Sequence, residues 1–385
     1  MSDPLTAYQG VEIYDGSALR GDHAVLVRKG VVEGVVPLAE VPGEAVVEDL
    51  GGGILCPGFV DLQVNGGGGV MLNSDPSVET LEIMARAHAG LGATTILPTL
   101  ITDTREHTQA AVAAVVEAQR RGIAGIRGLH LEGPHLSIAR KGAHDPDLIR
   151  PMDAEDLAFL CAAAQELSVL KVTVAPESVT PAQIRALAAA GVRVALGHTD
   201  ASFDVANVAA EAGASIVTHL FNAMSQLGNR EPGLVGAAVS NGALSAGLIA
   251  DGVHVHKASV AAAWRAMKGP GQMFLVSDAM ATAGSEIGHF ILNGRKISRD
   301  GNRLTLEDGT LAGAHLDLAT ALAFMTERVG VPLAEALSMA TSRPAALVGL
   351  SDVGHLHKGA RADMVLLTPD LSLARVWQGG TQLSS

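Results

Sequence analysis

The sequence predicts an α/β fold: a (β/α)8 TIM-like barrel with a small β-sandwich domain formed by both termini. Three observations predict it. Short apolar runs recur at Ile54–Asp61, Thr94–Thr99, Gly128–Glu132, Val172–Ala175, Val192–Gly197, Ile216–Leu220, Leu244–Ala250 and Phe274–Ser277. Ala-rich amphipathic segments at 77–91, 104–121, 154–168, 181–190 and 203–212 separate most of them. The two ends of the chain have a different rhythm, with short apolar runs broken by Gly, Pro and charge.

Taken in order, residues 1–53 place Val25-Leu26-Val27, Val31-Val32 and Val35-Val36 between turn residues, a β pattern with tight turns. Residues 54–344 carry the eight runs, and strands alternating with helices favour a parallel barrel over an open doubly wound sheet. Within them, about 285–312, Gly288, Gly294, Gly301 and Gly309 suggest an inserted hairpin after the eighth strand. Residues 345–385 return to the β pattern at Gly359–Leu367 and Ala374–Trp377, so both ends are expected to build one small sheet domain.

Composition narrows the function. With 385 residues and 48% hydrophobic residues the chain can bury a large core, which excludes disorder, and no apolar run is clean enough to span a membrane. A net charge of −13 argues against nucleic acid or an anionic membrane as partner. Cys56 and Cys161 give no disulfide framework, and Met1–Leu5 lacks a basic region followed by an apolar stretch, so no leader is expected and a cytoplasmic location is.

The chemistry lies at the C-terminal ends of the runs, the face where barrel enzymes carry their sites. Asp61, Gln63 and Asn65 end the first, Glu132 the third, His198 the fifth, His219 the sixth and Asp278 the eighth. A carboxylate at the mouth of a buried strand is costly unless a cation meets it. A lone buried histidine is usually a hydrogen-bonded core residue, but five coincident strand ends change that weighing. Glu plus two His is a catalytic set for zinc or a similar divalent ion, with a position left for water and substrate.

Several segments carry a family resemblance: Pro57–Gly66, His130-Leu131-Glu132-Gly133-Pro134, Lys141-Gly142-Ala143-His144, Ala175-Pro176-Glu177, Gly197-His198-Thr199, His219–Met224, Asp251–His254, Ser277–Met280 and Leu311-Ala312-Gly313. In order and spacing the chain resembles the amidohydrolase superfamily and, within it, the N-acetylglucosamine-6-phosphate deacetylases. The resemblance implies metal-dependent hydrolysis of the acetamide of a 6-phosphorylated amino sugar. It implies that Glu132, His198 and His219 hold the metal, that Asp278 moves the proton, and that His144 bonds the carbonyl or a sugar hydroxyl. Ala143, Asn222, Ala223, Leu311, Ala312 and Gly313 would line the sugar. Arg230 and His254 would meet the phosphate, either of them across the interface of a homodimer.

Two departures bear on the metal. Binuclear members of the superfamily place His-x-His after the first strand, and many add a carboxylated Lys at the end of the fourth. Here the first strand ends in Gln63-Val64-Asn65, and Lys171 begins the fourth run rather than ending it. Amides are weak zinc ligands, so one divalent ion, zinc first, is expected, with Gln63 and Asn65 in its outer shell. Other features take blander readings. Gly66–Gly69 lacks a phosphate-loop spacing and is read as a turn. Glu177 is expected to orient neighbours, His135 to shape the loop over the metal, and His256, His355 and His357 to be solvated. The competing readings are an amidohydrolase acting on a different N-acyl sugar or cyclic amide, and an inactive relative that only binds.

Overall fold

A computed structural model describes residues 4–384; Met1–Asp3, where the stretch read for a leader begins, lie outside the described residues. Eight parallel strands form one sheet with each strand beside its sequence neighbour. They are β1 (Val60–Val64), β2 (Thr95–Ile101), β3 (Leu129–Glu132), β4 (Leu170–Val174), β5 (Arg193–Leu196), β6 (Ile216–Val217), β7 (Ser245–Leu248) and β8 (Met273–Leu275). A bridge between Val64 and Ala279, with Asp278 N–H donating to the Gln63 carbonyl at 3.1 Å, brings the ends of β1 and β8 together. The expected barrel is there.

The helices outside it begin where local chemistry says they must. Ser77, Thr104, Asp153, Thr180 and Ser202 each precede a helix, and each accepts from a backbone N–H three residues on. The helices they cap, Val78–Gly90, Arg105–Arg120, Ala154–Glu166, Pro181–Ala189 and Phe203–Glu211, fall within the expected segments. Gly233–Ser240 and Lys257–Ala266 complete the ring up to β8, and neither has a long amphipathic stripe to betray it. Among the described residues no helix is long and apolar enough to cross a membrane.

The structure corrects three details. The run Ile54–Asp61 is not one strand: Ile54–Pro57 pairs with Met364–Leu367 in a six-stranded sheet, and β1 starts only at Val60. The break falls at Gly58, where an added Cβ would lie 2.1 Å from Thr94 Oγ1, so only glycine lets the chain pass from sheet to barrel. The fourth strand begins two residues earlier than its apolar run, at Leu170, which puts Lys171 inside it. The segment expected as a hairpin is a four-stranded antiparallel meander: His289–Leu292, Arg295–Asp300, Arg303–Thr305 and Leu311–Ala314. Its first turn is Asn293-Gly294, with φ of 47° and 75°, the two positive angles a type I′ hairpin requires. The meander packs on the barrel rim through Phe290, Leu292, Ile297 and Leu304 against Met71, Ile101 and Met280.

Two sheets make the small domain. One, of four strands, is N-terminal; the other, of six, joins Glu12–Tyr14, Leu19–Arg20 and Ile54–Pro57 to Met364–Leu367, Leu373–Gln378 and Thr381–Gln382 from the C-terminal end. Trp377 of the second sheet is buried and meets Tyr8 of the first edge-on, with ring centroids 5.5 Å apart. Since this contact ties both ends of the chain together, Trp377→Ala is expected to cost about 3–5 kcal/mol, read as a lower denaturant midpoint. A loss under about 1 kcal/mol would show that the two sheets do not depend on each other.

Candidate active site

Glu132 is the last residue of β3, and its carboxylate lies at the mouth of the barrel, 2% exposed. Its Oε1 is 2.9 Å from His219 Nε2 and 3.3 Å from His198 Nε2, and the two imidazole nitrogens are 3.1 Å apart. His198 Nδ1 lies 2.8 Å from the Arg140 carbonyl, which can only accept, so Nδ1 carries the proton and Nε2 presents a lone pair. Carboxylate oxygen and nitrogen lone pairs would not crowd together unaided. A tetrahedral zinc ion with bonds of about 2.0–2.1 Å separates its ligand atoms by roughly 3.3 Å. The donor set and its spacing therefore fit a divalent cation, and the three residues form a metal-capable cluster with ligand atoms within 4.8 Å of one another.

Asp278 lies beside this cluster just beyond β8. Its Oδ1 accepts from Asn65 Nδ2 at 2.7 Å and from Gln63 Nε2 at 3.0 Å, while Gln63 Nε2 also reaches both Glu132 oxygens at 3.3 Å. Burial raises the Asp278 carboxyl above its usual range, and the negative charge of Glu132 adds to the effect. The side-chain oxygens of Gln63 and Asn65 are buried with no hydrogen-bond partner, two acceptors turned to no protein donor.

His144 completes the group. Its Nδ1 lies 2.7 Å from Thr102 Oγ1 and 3.3 Å from the Thr102 backbone N–H, which can only donate. Nδ1 is therefore the acceptor, and the proton sits on Nε2. Burial holds this imidazole well below its ordinary range, with the neighbouring His198 adding to the shift. The ring is neutral at pH 7 and is a fixed N–H donor. Its centroid is 4.3 Å from that of His198.

Asn65, Glu132, His144, His198, His219 and Asp278 share one cavity of about 390 Å³. The amidohydrolase family matches residues 54–383. The chain belongs to that family. It is 41% identical to an N-acetylgalactosamine-6-phosphate deacetylase of Shewanella sp. (strain ANA-3), over 99% of this chain and 97% of that one. It is 37% identical to an N-acetylglucosamine-6-phosphate deacetylase of Haemophilus influenzae, over 93% and 94% of the two chains. The crystal structure of N-acetylglucosamine-6-phosphate deacetylase from Pasteurella multocida superposes with a TM-score of 0.94 at 34% identity, covering 99% of this chain and 100% of that one.

In this amidohydrolase the cavity brings together most residues singled out from the sequence. Asn65, Glu132, Ala143, His144, His198, His219, Asn222, Ala223, His254, Asp278, Leu311 and Gly313 line it, and Gln63 lies just beneath through its bonds to the two carboxylates. His254 Nδ1 is 2.6 Å from Asp251 Oδ2, so the ring is oriented from behind. Ala312 points the other way, into the apolar cluster under the meander, because alternate residues of a strand face opposite sides. Arg230 is exposed in the loop after Asn222 and lies outside the cavity lining.

The blander assignments are also visible. Glu177 accepts from Thr199 Oγ1 and from Asp200 N–H. His135 is buried, with Nδ1 3.1 Å from the Arg150 carbonyl. His256 caps the helix Lys257–Ala266, and His355 stacks on His357 at the surface. Sequence reasoning missed Thr102, Arg140 and the polar chain beneath the site. In that chain His130 bonds Thr99 and Thr173, and Thr173 bonds Thr218. Thr99, His130 and Thr173 stand on β2, β3 and β4, and Thr218 follows β6, so polar residues interrupting the apolar runs were the available signal.

Proposed function

We propose that this amidohydrolase hydrolyses the acetamide of N-acetyl-D-glucosamine 6-phosphate to glucosamine 6-phosphate and acetate, in the cytoplasm, within amino-sugar catabolism or cell-wall recycling. The observation that carries the proposal is the placing of a buried carboxyl with raised proton affinity, Asp278, beside the Glu132–His198–His219 cluster and a neutral N–H donor, His144, in one cavity. A divalent ion, most simply zinc, held by those three ligands would supply Lewis acidity to the carbonyl and to water.

The chain's own residues do the rest. Asp278 accepts a proton from the attacking water; its Oδ1 is already engaged by Asn65 and Gln63, which leaves Oδ2 for that proton. Oxygen bonds to the acyl carbon while His144 Nε2–H donates to the carbonyl oxygen, where negative charge develops. Asp278 then returns the proton to the departing nitrogen, the C–N bond breaks, and acetate and the free amine leave. Asn222, Ala223, Leu311 and Gly313 form the sugar wall. His254, oriented by Asp251, and Arg230 from the neighbouring subunit of a homodimer meet the phosphate.

One observation favours a second substrate. The galactosamine-named relative is at least as similar as the glucosamine-named one, and the two sugars differ only in the configuration at C4. Acetate release from both 6-phosphates, and from N-acetylglucosamine without phosphate, tests the reading. Release from the glucosamine compound at the higher kcat/KM supports it; no release from any of them by metal-loaded protein overturns it.

Within that assay, Asp278→Asn keeps the shape but cannot take a proton, so kcat should fall roughly 10²–10⁴-fold with metal still bound. Near-normal turnover would remove Asp278 from the mechanism. Arg230→Ala should raise KM for the phosphorylated sugar by a contact worth about 1.5–3 kcal/mol and leave the unphosphorylated one unaffected; equal effects on both would make Arg230 structural. Gln63 and Asn65 stand where binuclear relatives carry imidazoles, and amides are weak zinc ligands, which supports a single metal. Metal analysis after dialysis should find one equivalent in active protein, and two retained equivalents would overturn that count.

A further inference from the structure

The meander after β8 does more than roof the cavity. Its first hairpin ends in the Asn293-Gly294 turn, and both side chains flanking Gly294 reach the barrel rim. Arg295 donates through Nη2 to the carbonyl of Ala143, the residue before His144. Asn293 Nδ2 reaches the carbonyl of Thr102 at 3.5 Å, and Thr102 is the residue whose N–H and hydroxyl hold His144 Nδ1. The tip therefore touches the backbone on both sides of the one contact that sets the His144 tautomer.

Packing makes the tip rigid. Phe290, Leu292 and Ile297 are buried in the apolar cluster shared with Ile101 and Met280, and Ala143 packs against the same cluster. Along Arg295–Asp300, Arg295, Ile297 and Arg299 are more covered than the residues between them, so Arg295 faces the barrel. The loop it grips has little structure of its own: one turn of 3-10 helix, Ile138–Arg140, and then Gly142 with φ of 56°. A loop this weakly ordered cannot by itself hold a ring to the fraction of an ångström that catalysis needs.

We propose that Arg295 is a positioning residue: from the meander it clamps the Ala143 carbonyl and so keeps His144 aligned over the cavity as an Nε2–H donor. The inference rests on the role given to His144 above. Arg295 touches none of the metal ligands, and its contact with the cavity lining is the backbone carbonyl of Ala143. It acts only through His144.

A double-mutant cycle tests this on the full-length, metal-loaded protein. Arg295→Met should lower kcat roughly 10- to 100-fold with a small change in KM, the cost of a misplaced catalytic group. Arg295→Lys, which keeps one donor, should recover most of the loss. In a His144→Gln background, Arg295→Met should cost less than about 2-fold more. Full activity in Arg295→Met, or losses that multiply in the double variant, would overturn the proposal.

A second readout does not depend on turnover. The ¹⁵N shifts of the His144 ring, assigned by their loss in His144→Gln, should report the Nε2–H tautomer in the native chain and a tautomer mixture in Arg295→Met. An unchanged tautomer in Arg295→Met would overturn the clamp. If the native protein released no acetate from any sugar phosphate, the deacetylase reading would fail while this spectroscopic result still decided the role of Arg295.

Discussion

Buried negative charge is the constraint on which this molecule depends. Asp61, Glu132 and Asp278 are 0%, 2% and 8% exposed, all at or below the mouth of one barrel. Burial pushes Asp61 up to about 7 against the bonds it accepts from Ser277 and Gln63. Among the described residues Lys171 is the single fully buried lysine or arginine, with its own value brought down to about 8 by burial. Lys171 offsets part of this charge, and the Glu132–His198–His219 cluster stands where a divalent cation would offset more. An interior that would otherwise be branched aliphatics accepts this because backbone donors are aimed at Asp61 and amide donors at Glu132 and at Asp278 Oδ1.

The same constraint shapes the backbone. His198, His219, Ala223 and Asp278 all have positive φ, between 29° and 52°, although none is glycine. Such conformations cost on the order of 1–3 kcal/mol each and persist only where the surroundings over-determine them. Here the surroundings are the barrel walls. β6 is two residues long and β8 three, and His219 and Asp278 follow two and three residues beyond their ends. His198, His219 and Asp278 carry this strain just beyond β5, β6 and β8, and the apolar layer between strands and helices carries the stability.

Two satellites complete the barrel by different means. The sandwich joins both ends of the chain through strand pairing and through Trp377 against Tyr8, far from the chemistry. The meander uses a second apolar cluster to lie over the site, supplying Leu292, Leu311 and Gly313 to its wall. The division of labour between barrel and meander gives the cavity a charged floor and a partial apolar cover, which suits hydrolysis of an acetamide.

Features written in local patterns are legible along the chain before any fold is known. The Ala-rich amphipathic segments announce five helices because a helical period is written along the chain itself. Glu132, His198, His219 and Asp278 stand out in the sequence because a polar side chain ending a buried apolar run is costly without a partner to meet it. Other features were decided only in three dimensions. The split of Ile54–Asp61 depends on which partner each half finds, Met364–Leu367 or β2, and an apolar run does not name its partner. The Arg140 carbonyl that sets the His198 tautomer, and the Ala143 carbonyl that Arg295 grips, are backbone atoms every residue possesses. Arg230 outside the cavity and Ala312 facing away from it have the same origin, since a motif fixes neighbours along the chain while direction is set by the sheet and by packing.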